Sequence, residues 1–334
     1  MGMQMNKARK RIIYELAYTR DCTLVIQQEW LYVLEAEYKR LGGKRTEPIG
    51  LDYYKNGVTQ VWQNKAKLSF LIKGLRAESE KQEKYLLSRL KNYERALPTL
   101  ARYWKKRQVR TITELERFIV LIKKIMPEDM LLCLLADEPR VAPRVLMLCQ
   151  RLRSSDAFFA KSDAFIRNSL RKIYPRLGKH VVTIAQNEIR RPVAVSEYRK
   201  RFLSSVHVPG EVSWCGSLQQ FAKRRAIFNF QQPKAEYLHS GVIRGTGVYL
   251  GDVVAKARVV RSNSECAKVR RGEIIIAAMT TPVMLPTMKR AAAIVTDEGG
   301  MLCHAAVMAR EFKIPCIVGT RFATRFFKYG DIIH

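Results

Sequence analysis

Apolar positions between residues 60 and 175 recur with the period of an α-helix. Leu86, Leu90, Tyr93 and Leu97 follow one another at i, i+4, i+7 and i+11. Pro98 directly follows the last of them, and a proline in a helix interior removes a backbone hydrogen bond. The pattern therefore predicts helices in this stretch, with an interruption at Pro98.

Three local signals bound further elements of the first part of the chain. Thr113 and Glu116 have capping-box spacing ahead of the run LERFIVLIKKIM. Asp156 can cap the helix predicted for AFFAKSDAFIRNSLRKIY, which stops at Pro175. The Asn-Gly pair in YYKNGVTQVW is a turn signal and predicts a small hairpin near residue 54.

The pattern changes after about residue 183. From Thr183 to Pro233 the periodicity weakens and prolines punctuate the chain, which is typical of a connector. The run VVAKARVV (253–260) then alternates apolar and basic residues, as a half-buried strand does. Further strand-length runs are EIIIAA, AAIVT and IPCIVG, separated by the helix-length segments PVMLPTMKRA and CHAAVMAREF. This order predicts a parallel α/β layer with an added antiparallel or barrel-like strand.

Charge separates the two parts further. The chain has 60 Lys and Arg against 30 Asp and Glu, a net charge of +30. Residues 236–334 carry +6 of this excess, and residues 1–235 carry +24. Such an excess suits nucleic acid, anionic lipid, an acidic partner subunit or simply solvated helix faces. No RNA-recognition, zinc-finger or helix-turn-helix signature is present, which disfavours nucleic acid and leaves an acidic partner subunit as our preferred interpretation.

Several protein classes are excluded by composition. No apolar run reaches the roughly 18 residues that a membrane span needs, so we expect no membrane insertion. The basic start MGMQMNKARKR has no apolar segment after it, so we expect no secretory signal. Seven scattered cysteines without a Cys-x-x-Cys pair form neither a disulfide framework nor a zinc site. These features predict a cytoplasmic, globular protein without a metal site.

One histidine has an unusual setting. His304 follows Gly299, Gly300 and Cys303 in TDEGGMLCHAAVMAREFKIPCIVG and begins a short amphipathic helix. The positive end of a helix dipole disfavours an imidazolium and favours an attached anion, such as a phosphoryl group. A neutral imidazole is also a competent nucleophile for covalent transfer. The alternative is a structural histidine satisfied by a loop carbonyl, which the residues alone leave open.

This stretch closely resembles the phosphohistidine signature of the PEP-utilising enzymes. The family includes PEP synthase (pyruvate, water dikinase), pyruvate phosphate dikinase and the rifampicin phosphotransferases. The upstream segment GEIIIAAMTTPVMLPTMKRAAAIVTDEGG, with its Thr-Thr-Pro turn, and GTGVYLGDVVAKARVV are also similar to them. The resemblance extends over residues 241–333 in the family's order and spacing. Residues 1–235 are only faintly similar to the family's helical linker.

The resemblance implies roles for individual residues. His304 would accept the phosphoryl group, with Gly299, Gly300 and Cys303 in its approach loop. Thr280 and Thr281 would cap the next helix or touch the phosphate. Arg310 would pair with Glu311, Asp297 or a phosphate.

The resemblance also implies an architecture and a function. We expect an α + α/β protein: an all-helical region over 1–235, linker-like and partner-binding, and a swivelling β/β/α phosphohistidine domain over 236–334. The function would be a phosphoryl carrier, the subunit of a kinase-like phosphotransferase. No P-loop or carboxylate run suited to Mg²⁺ is present, so we expect Mg²⁺ and ATP on a separate ATP-grasp subunit, and pyruvate or another small molecule as acceptor. The alternative is a non-catalytic interaction protein with a degenerate phosphohistidine domain, whose basic helices hold a partner or nucleic acid.

Overall fold

The structure is a computed structural model that describes residues 12–44, 47–136, 138–154, 158–209, 211, 213–225, 228–231, 242–261, 263–301 and 303–334. Its strands form two six-stranded sheets. The first sheet is formed by strands before residue 232, and the second by strands after residue 241. The expected boundary between residues 235 and 236 lies outside the described residues and stays a prediction.

The first unit combines a sheet with a helical layer. Its elements are β1 (Ile12–Arg20), α1 (Leu24–Arg40), β2 (Gly50–Lys55), β3 (Val58–Asn64), α2 (Lys65–Lys81), α3 (Glu83–Lys106), α4 (Ile112–Leu135), α5 (Pro143–Ser154), α6 (Phe158–Ile173), 3-10 helices Pro175–Thr183 and Gln186–Glu188, α7 (Val195–Leu203), β4 (Ser204–His207), β5 (Trp214–Cys215), α8 (Leu218–Arg224) and β6 (Phe228–Gln231). The strand order is β5-β4-β2-β3-β1-β6, antiparallel except between β1 and β6.

The expectation of an all-helical first region is therefore wrong, although helices make up most of it. Two physical causes hide its sheet from the sequence pattern. Five of the six residues of β2 are buried, because side chains pack on both faces of the sheet, so the strand shows no alternation. In β1 only Tyr14 and Leu16 are buried, and a register shift between Leu16 and Tyr18 interrupts its pairing with β3. The stretch expected to be a connector also contributes β4, β5 and β6.

Other local expectations are partly confirmed. The hairpin joins β2 to β3 through Asn56 and Gly57, which have positive φ values of 53° and 79°. Helix α3 continues through Pro98, which lies on its exposed side, where water can reach the carbonyl left without a donor. Helix α4 is capped by Thr111, whose hydroxyl accepts the Glu114 N–H at 3.3 Å, and not by Thr113. Asp156 lies outside the described residues.

The second unit has the predicted parallel layer. It contains β7 (Thr246–Tyr249), β8 (Ala255–Val260), a 3-10 helix Asn263–Lys268, β9 (Ile274–Ala277), a 3-10 helix Pro282–Met284, α9 (Leu285–Met288), β10 (Ala293–Thr296), α10 (His304–Phe312), β11 (Cys316–Val318), α11 (Ala323–Phe326) and β12 (Ile332–Ile333). Strands β8, β9, β10 and β11 are parallel neighbours, while β7 and β12 add antiparallel edges. As predicted, Val253, Ala255, Ala257 and Val259 share one core.

No helix within the described ranges combines the length and apolar character that crossing a bilayer requires. No disulfide bond joins any of the seven cysteines, all of which lie in the described residues.

Candidate functional site

The site lies at one edge of the second sheet. Strands β9 and β10 are parallel neighbours, so their carboxyl ends meet there. The chain after β9 leads to Thr280, and the chain after β10 leads through Gly299 and Gly300 to His304. Residues separated by 24 positions are thereby brought together at one edge.

Gly299 shapes the approach to the histidine. Its φ value of +110° belongs to a backbone region that residues with a Cβ rarely adopt. A Cβ at this position would also stand 2.6 Å from Cys303 Sγ, which is closer than van der Waals contact permits. Gly300 contributes differently, because its carbonyl accepts the Cys303 N–H at 3.1 Å. The two glycines turn the chain tightly into α10.

The imidazole of His304 is held by a hydroxyl group. Thr280 Oγ1 lies 2.8 Å from His304 Nδ1, and Thr280 itself is only 4% exposed. Burial lowers the pKa of His304 from 6.5 to about 4, so the ring is neutral at physiological pH. Among the described residues, the hydrogen bonding of the ring involves Nδ1, which makes Nε2 the nitrogen available for chemistry.

The backbone around the ring favours an anion. His304 is the first residue of α10, and the N-cap residue Cys303 has extended dihedrals with no side-chain hydrogen bond to the helix. The first-turn N–H groups of such a helix have no intrahelical acceptor. These donors and the helix dipole both attract negative charge to the position of the ring.

The remaining predicted residues take different places. Cys303 packs partly onto the core of the second unit, with its Sγ facing Gly299. The carbonyl of Thr281 accepts the Met284 N–H at 2.9 Å and so bounds the turn that follows β9. Thus Thr280 contacts the histidine, whereas Thr281 acts through its backbone in the turn.

Among the described residues, Arg310 forms no ion pair with Glu311 or Asp297, and its expected contact with a phosphate stays a prediction. It is exposed on α10, and its Nη2 donates to the Met301 carbonyl at 2.7 Å, which ties the helix to the glycine loop. Asp297, one of its expected partners, is bound from another side: Thr320 Oγ1 lies 3.2 Å from Oδ1, and Thr324 donates to both carboxylate oxygens. Arg310 therefore has a structural contact.

Sequence reasoning missed Glu298. This carboxyl group is buried, and burial raises its pKa from 4.5 to about 8. Its Oε1 accepts the backbone N–H of Thr19 at 2.9 Å, from the first unit of the molecule. The two residues are 279 positions apart, and no motif links them.

The described residues do not fit a magnesium site beside His304. Asp297 and Glu298 are the acids of this loop, and burial raises the pKa of both, which disfavours the carboxylate form that Mg²⁺ needs. The oxygens of Asp297 are occupied by Thr320 and Thr324. Across the described ranges, no group of three or more His, Cys, Asp or Glu side chains is arranged to hold a metal ion.

The part of the chain that carries the site is similar in sequence to known proteins. Residues 269–334 match the family model "PEP-utilising enzyme, mobile domain". The matching part of the chain is 49% identical over 92 residues to a probable phosphoenolpyruvate synthase of Archaeoglobus fulgidus, covering 28% of this chain and 12% of the relative. It is 48% identical over 89 residues to the phosphoenolpyruvate synthase of Pyrococcus furiosus, covering 27% and 11%. With the Aquifex aeolicus phosphoenolpyruvate synthase the identity is 41% over 109 residues, covering 32% and 12%.

The predicted resemblance is thereby confirmed: residues 269–334 match the PEP-utilising enzyme mobile domain and are homologous to the corresponding part of phosphoenolpyruvate synthases. The chain spans only 11–12% of the length of these relatives.

Proposed function

We propose that the protein is a phosphoryl carrier, in which His304 accepts a phosphoryl group from a donor and passes it to a small acceptor. The observation that carries this proposal is the neutral imidazole held through Nδ1 by Thr280, at the uncapped start of α10. A merely structural histidine does not need a glycine turn and a helix start beside it, where the first-turn N–H groups have no intrahelical acceptor. Homology of residues 269–334 to phosphoenolpyruvate synthases supports the same class of chemistry.

The chemistry assigned to this chain is a displacement at phosphorus. In the tautomer that carries its proton on Nδ1 and donates it to Thr280 Oγ1, His304 has a lone pair on Nε2 for attack. The Nε2–P bond forms as the P–O bond to the donor breaks, and the leaving oxygen keeps that electron pair. The amides at the start of α10 can then hold the transferred phosphoryl oxygens. In the second step an acceptor oxygen attacks phosphorus and the N–P bond breaks, which returns the neutral imidazole.

The donor would be ATP bound with Mg²⁺ on a separate ATP-grasp subunit. The match to the relatives covers their mobile domain, and the acids beside His304 do not fit Mg²⁺. Phosphoryl transfer also needs cationic groups or metal ions to neutralise the transferring group, and that subunit would supply them. Pyruvate is the acceptor suggested by the relatives' printed name, and another small molecule would serve the same chemistry.

One helix face suits an acidic surface on such a subunit. Lys84, Lys91, Arg95, Arg102 and Lys106 are all exposed on α3 and follow one another at steps of seven and four residues. They therefore share one face and span about 33 Å along the helix. The helix has two acidic residues, and Arg151 holds one of them, Glu94. The same basic face is what favours the second candidate, a non-catalytic protein that binds an acidic partner or nucleic acid.

A reducing compartment such as the cytoplasm suits seven cysteines that form no disulfide bond.

The test is labelling of the full chain with ATP, Mg²⁺ and a co-purifying ATP-binding protein. We expect one acid-labile, base-stable phosphate per chain, lost to background in His304→Ala and His304→Asn. His334→Ala is the matched control, because His334 lies on the surface of the same unit and pairs only with Asp252 among the described residues. Labelling that survives His304→Ala would refute the carrier, and binding without any labelling by that protein would favour the second candidate.

A further inference from the structure

The last residues of β1 contact the loop that precedes His304. Strand β6 pairs with β1 only from Ile12 to Glu15, so the described residues place no strand on that side of β1 at Thr19. The Thr19 N–H instead donates to Glu298 Oε1. The Glu298 carboxyl group thus accepts a backbone hydrogen bond that a neighbouring strand would accept inside a sheet. Without this acceptor the Thr19 N–H would need a water molecule as its partner.

A fixed cation stands next to this hydrogen bond. The Arg20 guanidinium lies over the Tyr18 ring at 4.3 Å and over the Phe159 ring at 4.6 Å, both measured to the ring centroids. Two aromatic contacts restrict its rotamers and hold its charge in place. That charge lowers the pKa of Glu298 and so counteracts, in part, the effect of burial.

The chain just beyond Arg20 is held rigidly as well. Arg167 of α6 donates from Nη1 to the Asp21 carboxylate at 2.8 Å and from Nη2 to the Asp21 carbonyl at 3.0 Å. Asp163 bonds the same guanidinium and also accepts the Thr23 N–H at 2.6 Å. Residues 19–21 therefore form a preorganised surface, which contacts the second unit through the Thr19 N–H.

We propose that residues 19–21, called the β1 rim, are an intramolecular docking site for the loop 297–300 of the mobile domain. The rim offers the Thr19 N–H beside a fixed guanidinium, and the loop offers the carboxyl oxygen that accepts from this N–H. If the protein is a phosphoryl carrier, the docked state is a resting position of the carrier, and this interpretation rests on the proposed function. The docking itself does not depend on that function. Because Glu298 directly precedes the Gly299–Gly300 turn, a subunit that reaches His304 along that turn also meets the rim.

Because Glu298 is protonated at neutral pH, Glu298→Gln and Glu298→Ala should affect docking differently. Burial holds the proton on this carboxyl group at neutral pH, with Asp297 adding to the effect and Arg20 opposing it. Glu298→Gln keeps a neutral carbonyl acceptor of the same shape, so it should preserve docking. Glu298→Ala removes the acceptor and leaves the Thr19 N–H to water.

The test is hydrogen–deuterium exchange of the Thr19 amide in the full chain, without any phosphoryl donor. We expect protection in the wild type and in Glu298→Gln, and exchange at least tenfold faster in Glu298→Ala. Glu311→Ala, which removes an exposed acid from α10, is the matched control and should change nothing.

Equal exchange at Thr19 in the wild type and in Glu298→Ala would overturn the docking site, and so would unprotected exchange in the wild type itself. His304→Ala should leave Thr19 protected. Loss of labelling and loss of docking are thereby measured separately.

Discussion

The two units of the molecule each hold a histidine whose pKa is lowered by burial, and they bond it differently. His207 in β4 has both ring nitrogens bonded to serines, Nε2 to Ser205 at 2.8 Å and Nδ1 to Ser213 at 2.6 Å. His304 in the mobile domain has Nδ1 bonded to Thr280. Burial lowers the pKa of both, to about 3 for His207 and about 4 for His304. Burial alone therefore does not mark a nucleophile.

What separates the two is the set of neighbours. Both nitrogens of His207 are used, and its ring stacks edge-on against Tyr54 at 5.2 Å, as core side chains do. His304 stands at a helix start next to glycines, with a nitrogen left for chemistry. We interpret His207 as a structural residue and His304 as the reactive one.

The largest expected effect is on stability and falls on the first unit. His207 is 3% exposed, so His207→Ala removes a packed ring and two hydrogen bonds and should cost about 2–4 kcal/mol. His304→Ala should cost less than about 1 kcal/mol, because the side chain is only half-buried. Urea titrations of both variants at pH 7 measure this difference. Equal losses of stability would break the comparison.

The same pair predicts how stability depends on pH. Both folded-state pKa values lie below the ordinary 6.5, so the folded state binds fewer protons than the unfolded state. The two histidines make their full contribution to the free energy of unfolding above pH 6.5. This contribution is lost as the pH falls toward 4 for His304 and toward 3 for His207. The acid sensitivity of the wild type should therefore shrink in His207→Ala.

The second expected effect is on the shape of the glycine turn. Gly299→Ala combines strain at φ +110° with a contact of 2.6 Å to Cys303 Sγ. It should reduce phosphate labelling about 100-fold, since a displacement of about 1 Å at a reacting group costs that much. Gly330→Ala is the matched control, with φ +95° but no atom within 4 Å of the new Cβ. It should lose some stability and keep full labelling; equal labelling in both variants would contradict the role of the turn.

The third effect tests what the charge of the first unit does. Lys91→Glu combined with Arg95→Glu reverses two charges on the exposed face of α3, and should weaken binding to the ATP-binding subunit about tenfold at low salt. Arg171→Glu combined with Lys172→Glu makes the same change at the end of α6 and should have little effect.

Raising the salt concentration should also weaken the binding of the wild-type chain to the ATP-binding subunit. Tight, salt-sensitive binding of duplex DNA or RNA at physiological ionic strength, lost in the α3 variant, would instead favour the nucleic-acid alternative.

The smallest effect concerns the hydroxyl group behind the ring. Thr280→Val removes the partner of His304 Nδ1 and should slow labelling about fivefold to tenfold, the equivalent of one hydrogen bond. Thr280→Ser should restore the rate. A role limited to packing would give the opposite order, because valine matches threonine in shape and serine does not. Since the His304 pKa is about 4, wild-type labelling should stay level from pH 8 to pH 5.

Sequence patterns predict the second unit well because most of its strands and helices are marked by residues that are close together in the sequence. Three of its four parallel strands are short apolar runs, β8 alternates apolar and basic residues, and the glycine-histidine stretch directly follows β10. The first unit hides its sheet because β2 is buried on both faces and β5 is only two residues long. The contact between Thr280 and His304 needs the parallel pairing of β9 and β10, and the contact between Thr19 and Glu298 needs the whole fold. No sequence period encodes contacts of that kind.

The position of the phosphate on the intact protein tests the central claim most directly. The chain would be labelled with ATP, Mg²⁺ and its co-purifying ATP-binding protein, then analysed by mass spectrometry at neutral pH and by phosphorus–proton NMR. Because Nδ1 is bonded to Thr280, the account predicts one phosphate, on Nε2 of His304. A phosphate on Nδ1 of His304, on His207 or on any other residue would contradict it.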